Sequence, residues 1–368
     1  MQFLTYELAQ EIVERTMKIL NQNINVMNEA GVIIGSGESE RINQLHDGAL
    51  LVLEKGESIE IDDTSAVGMK GSRPGINLPI LFNDQVVGVI GITGEPKQIR
   101  NYAQLVKMAA ELVLEQSFLL ERVQWKQRLQ NEIVNQLILE GDLNEEALKQ
   151  RAGFIGIGLE QSRAAIVMEI TDDAQVTAQK LMRAVQSEMS KNDLIGVTYN
   201  DEIVILKVCE NKKEITLFLE RLQKISTGKA LIGSGSIATQ LNQLKASFYR
   251  AKRAMMIGRK LHPGTSFFLY ETYQLEIMLS KVIQNVDKTA FSFYDRLLDQ
   301  GKKGEMIHTL EAYINEGGEL NKIAESLFIH RNTLRYRLDK ITELTGKDPR
   351  NAKDLMELYM ANLLHDIS

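Results

Sequence analysis

Two clusters of residues in this chain are of types that do chemistry. The first lies near the N-terminus, where Ser36-Gly37-Glu38-Ser39-Glu40-Arg41 and Leu45-His46-Asp47-Gly48-Ala49 precede the loop Lys70-Gly71-Ser72-Arg73-Pro74-Gly75. That loop runs directly into Ile76-Asn77-Leu78-Pro79-Ile80. Such a set suits a small anion. Gly71 and Gly75 let backbone N–H groups approach a carboxylate closely, and Arg73 or Arg41 can clamp it through two parallel hydrogen bonds. His46 and Asn77 can bond its hydroxyls, so the candidate ligand set is Arg41, His46, Gly71, Ser72, Arg73, Gly75 and Asn77. The competing reading is a Gly-Pro turn carrying solvated basic side chains.

The second cluster lies near the C-terminus. Asn321-Lys322-Ile323-Ala324-Glu325-Ser326-Leu327 is followed by Phe328-Ile329-His330 and then Arg331-Asn332-Thr333-Leu334-Arg335-Tyr336-Arg337-Leu338. Apolar residues at Ile323, Ala324, Leu327, Ile329, Leu334, Leu338 and Ile341 fit two short helices meeting at a tight corner, a helix-turn-helix. Residues three and four apart line up on a helix, which leaves an outward face with Arg331, Asn332, Arg335 and Tyr336. This face suits a DNA major groove. Arginine can take guanine O6 and N7, asparagine can take adenine, and Thr333 or Tyr336 can bond phosphate oxygens. A solvated amphipathic hairpin decorated with arginines is the plain alternative.

Composition bounds both readings. The chain has 368 residues, 44% hydrophobic and 25% charged, enough for two or three domains with ordinary cores. A formal net charge of −6 excludes a protein that coats nucleic acid over its whole surface, so any DNA contact must be local. The single Cys209 sits in an apolar run and excludes a disulfide scaffold, as expected for a reducing cytoplasm. Residues 5–20 form an amphipathic pattern with glutamates ahead of the basic residues, unlike a signal peptide, and no apolar run approaches a membrane span. The five histidines are scattered, with no His-Glu-x-x-His, cysteine pair or nucleophile elbow, so neither catalysis, metal nor cofactor is expected.

The elements that must position the clusters follow from periodicity. Ile24 to Met27 reads as a strand returning through Val32-Ile33-Ile34, and Ile76 to Phe82 with Gln85 to Thr93 reads as a second hairpin around Asn83-Asp84. With a helix over 45–55, the spacing predicts a small antiparallel sheet with helices on one side, the build of PAS-like or GAF-like sensory domains. Residues 98–140 follow a helical pattern in which Tyr102, Leu105, Ala109, Leu112, Gln116, Leu119 and Val123 keep heptad spacing that weakens at Lys126 and Gln130. Such a helix spans roughly 60 Å. It is either a dimerising signal helix or one that packs on the sensory sheet and then links domains, and Trp125 fits both. Residues 164–170 and 203–209 read as strands around a helix over 176–190, and residues 230–235 as a strand before a helix over 241–261, an α/β domain. Gly233-Ser234-Gly235 lacks the third glycine and the Lys-Ser/Thr pair of a phosphate loop.

Several segments together carry a resemblance. Ile33-Ile34-Gly35-Ser36-Gly37, Leu45-His46-Asp47-Gly48-Ala49-Leu50, Gly75-Ile76-Asn77-Leu78-Pro79 and Val87-Gly88-Val89-Ile90-Gly91-Ile92-Thr93-Gly94-Glu95-Pro96 closely resemble the sensory domain of the carbohydrate diacid regulator family of bacterial transcription factors. Phe328-Ile329-His330-Arg331-Asn332-Thr333-Leu334 looks like the C-terminal DNA-binding domain shared with purine-catabolism regulators. The middle part is similar to a degenerate GGDEF-like domain in which Tyr199-Asn200-Asp201-Glu202-Ile203 stands where active cyclases carry two glycines.

The resemblance implies a multidomain α+β chain: a PAS/GAF-like sensory domain with its long helix over 1–135, a degenerate GGDEF-like α/β domain over 141–270, a helical linker over 271–303, and an all-α helix-turn-helix domain over 304–368. It implies a cytoplasmic, ligand-responsive regulator, usually an activator, of operons for sugar diacids or glycerate. The expected partners are an acid of the D-glycerate, glucarate or galactarate class, double-stranded promoter DNA, and a second copy in a homodimer or higher homo-oligomer. No membrane partner is expected. The competing classes are an enzyme, or a ligand-binding scaffold, whose C-terminal helices serve oligomerisation.

Overall fold

The computed structural model describes residues 4–20, 22–139, 143–171, 175–283, 288–300 and 304–367. Glu140 and Gly141, expected at the junction of the first two domains, and residues 284–287 and 301–303 of the expected linker lie outside them. The chain divides into two compact units, Met1–Gln127 and Arg128–Ser368.

The first unit comprises α1 (Tyr6–Leu20), β1 (Ile24–Met27), β2 (Ile33–Ser36), α2 (Asp47–Lys55), β3 (Ile59–Ile61), the single turn α3 (Asp63–Ala66), β4 (Gly75–Phe82), β5 (Gln85–Thr93) and most of α4 (Pro96–Leu139). Its strands form an antiparallel sheet in the order β2-β1-β5-β4-β3. The β4–β5 hairpin turns through Asn83 and Asp84, both with left-handed φ (50° and 61°), the geometry that matches the twist of paired strands. Ile76, Leu78 and Ile80 of β4 and Ile90 and Ile92 of β5 face one side, where they pack with α1 and α4. Met27, Ile33 and Val89 face the other and pack on Ala49 and Val52 of α2.

Helices therefore cover both faces, not one side as the spacing predicted. The cause is the period of two. Successive residues point to opposite faces, which puts apolar Met27, Ile33 and Val89 on the face away from Ile76 and Leu78, so that face needs its own cover.

The second unit begins with the last turns of α4, whose Leu129, Ile133, Val134 and Leu137 are buried among core residues. It continues through α5 (Glu145–Phe154), β6 (Arg163–Ile170), α6 (Gln175–Ser187), β7 (Leu194–Val197), β8 (Ile203–Val208), α7 (Lys212–Ser226), β9 (Ala230–Ala238), α8 (Leu244–Leu261), β10 (Phe267–Leu269) and α9 (Gln274–Ile283). The sheet order is β10-β9-β6-β8-β7, with only β10 parallel to its neighbour. Ala165 and Val167 of β6 face α8 while Ala164, Ile166 and Met168 face α7, so this sheet too is covered twice.

Four helices follow α10 (Ser292–Gln300): α11 (Glu305–Asn315), α12 (Leu320–Ser326), α13 (Arg331–Thr345) and α14 (Ala352–Ile367). Leu310, Ile323, Leu334, Leu338, Ile341 and Leu358 make their shared core. Helix α14 also packs on α9, where the Tyr359 hydroxyl donates to Glu276 at 2.8 Å. Among the described residues no helix is long and apolar enough to cross a membrane.

Candidate functional site

The N-terminal cluster assembles around the start of α2. His46 is its N-cap: the backbone is extended there, and Nδ1 accepts the Ala49 N–H at 3.1 Å. The loop 70–73 lies against the same helix end. The Asp47 N–H donates to the Lys70 carbonyl (3.1 Å), the Lys70 N–H donates to the Asp47 carboxylate (2.7 Å), and the Gly48 N–H donates to Ser72 Oγ (3.0 Å). The first turn of α2 is thus held by groups of its own chain. Gly71 makes this loop possible, because its φ of +67° is left-handed and a Cβ there would run into the Leu45 carbonyl oxygen.

Arg41 enters from the short 3-10 turn Ser39–Arg41 and is only 6% exposed. Its Nη2 donates to the Gly71 carbonyl, while Nη1 is buried with no hydrogen-bond partner. Burial disfavours its charge, the neighbouring Arg73 adds to that, and Glu38 opposes. Arg73 is half-exposed and donates to Glu38 Oε1 at 2.7 Å. Asn77 points to the α2 face because Ile76 and Leu78 take the other, and it is buried. A Cβ added to Gly48 would stand 3.0 Å from both Asn77 Nδ2 and His46 Cε1, so these three residues are neighbours. No hydrogen bond involves the Asn77 amide among the described residues. Burial, and then the charge of Arg41, lowers the His46 pKa to about 4, so its ring is neutral near pH 7 and its Nδ1 is free to cap.

Gly75 stands apart. It opens β4 opposite Thr93, where a Cβ would collide with the Ile92 carbonyl, so its missing side chain serves strand pairing. The chemistry left to the rest is clear. A carboxylate can take the unpartnered Arg41 Nη1 and compete with Ser72 for the Gly48 N–H, at the positive end of a helix. Glu38, 35 residues from Arg73 in sequence, is a member that no local pattern marks.

The C-terminal cluster lies on α13 of the second unit. Leu334, Leu338, Ile341 and Leu344 are its buried face, and Arg331, Asn332, Thr333, Arg335 and Tyr336 are all exposed on the other. His330 caps the helix, Nδ1 accepting the Asn332 N–H at 3.2 Å. Arg331 and Arg335 make no ion pair among the described residues, whereas Arg337, half-buried, lies 3.4 Å from Glu305 and is committed to the fold. The corner before α13 is a Schellman turn: Phe328 N–H donates to the Glu325 carbonyl and Ile329 N–H to the Ala324 carbonyl. This places Phe328 at φ +54°, 95% exposed, where glycine is the usual occupant. A fully exposed aromatic with a left-handed φ beside the polar face of α13 is a feature the apolar pattern conceals.

In the middle of the second unit, the turn between β7 and β8 carries Tyr199 to Glu202. Glu202 is tied to Lys252 at 2.5 Å and accepts from the Thr198 hydroxyl at 3.1 Å.

One end of the chain carries a helix-turn-helix with an exposed polar face, and the other a buried polar cluster at a helix N-terminus. Three family matches tile the chain: sugar diacid recognition over residues 4–137, a GGDEF-like domain over 140–257, and the PucR C-terminal helix-turn-helix domain over 306–364. The carbohydrate diacid regulator of Escherichia coli K12 is 36% identical, covering 96% of each chain. An uncharacterised protein of Haemophilus influenzae is 34% identical over 97% of this chain and 98% of its own. The purine catabolism regulatory protein of Bacillus subtilis is 22% identical over 65% of this chain and 49% of its own. The chain belongs to the carbohydrate diacid regulator family of transcription factors.

Proposed function

We propose that this regulator binds a small hydroxy acid or diacid at the N-terminus of α2 and in response changes its hold on promoter DNA, acting in the cytoplasm as an activator of genes for uptake or breakdown of that acid. The observation that carries the ligand half is Arg41, a buried guanidinium with one nitrogen unpartnered beside a helix N-terminus. An anion there relieves both the burial and the Arg73 repulsion. Arg41 is the inner clamp, Arg73 the outer one released from Glu38, and Ser72, Gly71, His46 and Asn77 complete the contacts. Gly75 supports the strand. D-Glycerate, glucarate and galactarate are the first acids to test.

The DNA half rests on the exposed face of α13. Arg331, Asn332 and Arg335 address base edges, and Thr333 and Tyr336 address phosphates. Two copies on a two-fold axis present two such helices to half-sites spaced by whole turns. Regulation rather than catalysis is favoured by the relative's own role as a regulator and by Glu202, the acid left in the degenerate motif, being occupied by Lys252.

The ligand half is tested by a thermal-shift screen of the three acids with wild type, Arg41→Met and Arg73→Ala. Ligand bound to the native state alone raises stability by mass action. A concentration-dependent shift is expected in wild type, smaller in Arg73→Ala and gone in Arg41→Met. An undiminished shift in Arg41→Met overturns the assignment.

A further inference from the structure

Helix α4 carries two apolar stripes. One, with Ile99, Ala103, Val106, Ala110 and Leu114, is buried against the sheet of the first unit. On the opposite side Leu105, Leu112, Leu119 and Val123 are each more than half exposed. Beyond Phe118 every residue from 119 to 128 is exposed, including Leu119, Leu120, Val123 and Trp125. A heptad stripe of this kind requires a partner helix with the same spacing.

We infer that the partner is α4 of a second copy, lying antiparallel, with the two-fold axis passing between residues 117 and 118. This rests on the two-copy reading above and adds its geometry. The charges choose the direction. Glu115 and Arg122 flank the stripe, both exposed, and neither has an ion-pair partner among the described residues. In the antiparallel register Leu112 of one copy packs on Val123 of the other, and Gln116 on Leu119. Each layer is made twice. The same register sets Glu115 beside Arg122 of the other copy, again twice, and brings exposed Leu120 onto Val113. Lys126 falls opposite small Ala109, leaving its stem room to reach water.

A parallel pair gives Gln116 a like partner but stacks Lys126 on Lys126, and it faces Glu115 with Leu120 and Arg122 with Gln127. It satisfies neither free charge. The antiparallel seam, residues 109–126, is roughly 27 Å long.

The test uses the full chain with Cys209→Ala. The native thiol is buried, and burial pushes its pKa to about 11, so the replacement only clears a slow background. Chains carrying Leu112→Cys and chains carrying Val123→Cys are mixed and oxidised. Cross-linked pairs are expected from the mixture and from neither variant alone. In sedimentation, Glu115→Arg or Arg122→Glu should each weaken self-association about tenfold, and the two together should restore it. A cross-link from Leu112→Cys alone overturns the antiparallel register. A wild type that sediments as a dimer but gives no cross-link and no charge-swap rescue overturns the α4 seam while leaving the two-copy reading standing. A monomeric wild type overturns both, and the thermal-shift screen for the acids is untouched by any of these results.

Discussion

The α2 cluster and the α13 face hold similar residue types in opposite settings. At α2 Arg41, His46 and Asn77 are buried, and the N–H groups of the helix start and of Lys70 are committed to partners in the same chain. At α13 Arg331, Asn332, Arg335 and Tyr336 are exposed, and Arg331 and Arg335 make no ion pair among the described residues. Buried polar groups contribute to stability whether or not a ligand is present; exposed ones act only when a partner arrives. Mutations should therefore separate the two ends. Changes at α2 should alter folding and ligand response together, and changes at α13 should alter DNA binding alone.

The largest effect is expected at α13. On the proposed reading, alanine at both Arg331 and Arg335 removes two base contacts worth roughly 1 to 3 kcal/mol each, so promoter affinity should fall by about 30-fold to more than 10⁴-fold at constant salt. The melting temperature should stay put, since both side chains are exposed. A footprint that survives the double substitution, or a protein that melts several degrees lower, breaks the contrast.

Next comes pH. Folded His46 resists protonation down to about 4, while in the unfolded chain it takes a proton near 6.5, so the unfolded state binds the extra proton between these values. Stability from His46 is therefore full above pH 6.5 and declines as pH falls toward 4, by up to about 3 kcal/mol. Urea titrations across this window should show the decline. His46→Asn keeps a capping oxygen without a titrating ring and should flatten that part of the profile.

A smaller effect separates two glycines. Gly71 and Gly56 share nearly the same φ, +67° and +70°, but a Cβ at Gly56 meets open space while one at Gly71 meets the Leu45 carbonyl. Alanine at Gly56 should cost about 1 kcal/mol in chemical denaturation and at Gly71 distinctly more. Equal costs would mean that the 70–73 loop does not press on α2. The smallest expected change is a gain. Phe328→Gly relieves a left-handed φ on an exposed side chain and should stabilise the native state by roughly 1 kcal/mol. A loss would show that Phe328 packs on something in solution.

The sequence made much of this legible, and unevenly so. Short apolar runs announced β1, β4 and β5, and Asn83-Asp84 announced the turn between β4 and β5, because these signals are local. The helix-turn-helix was equally readable, its buried face Leu334, Leu338 and Ile341 falling at helical spacing. What escaped depends on distant contacts. Nothing near Arg41 says that its guanidinium is buried against Gly71, and nothing near Arg73 says that Glu38 holds it. The cover of α2 on the second sheet face required knowing that Met27 and Val89 point away from their apolar neighbours. The heptad of α4 was visible, but only the fold divides it into an exposed stretch before Gln127 and a buried one from Leu129.

The claim that joins both ends is that an acid held by Arg41 changes DNA occupancy. The direct measurement is a DNase I footprint of the chain's own promoter region, titrated with D-glycerate, glucarate and galactarate, for wild type and Arg41→Met. At least one acid is expected to shift the wild-type protein concentration for half-protection, and Arg41→Met, still bound to DNA, is expected not to respond. An unchanged response in Arg41→Met, or indifference of the wild type to all three acids, would contradict that claim.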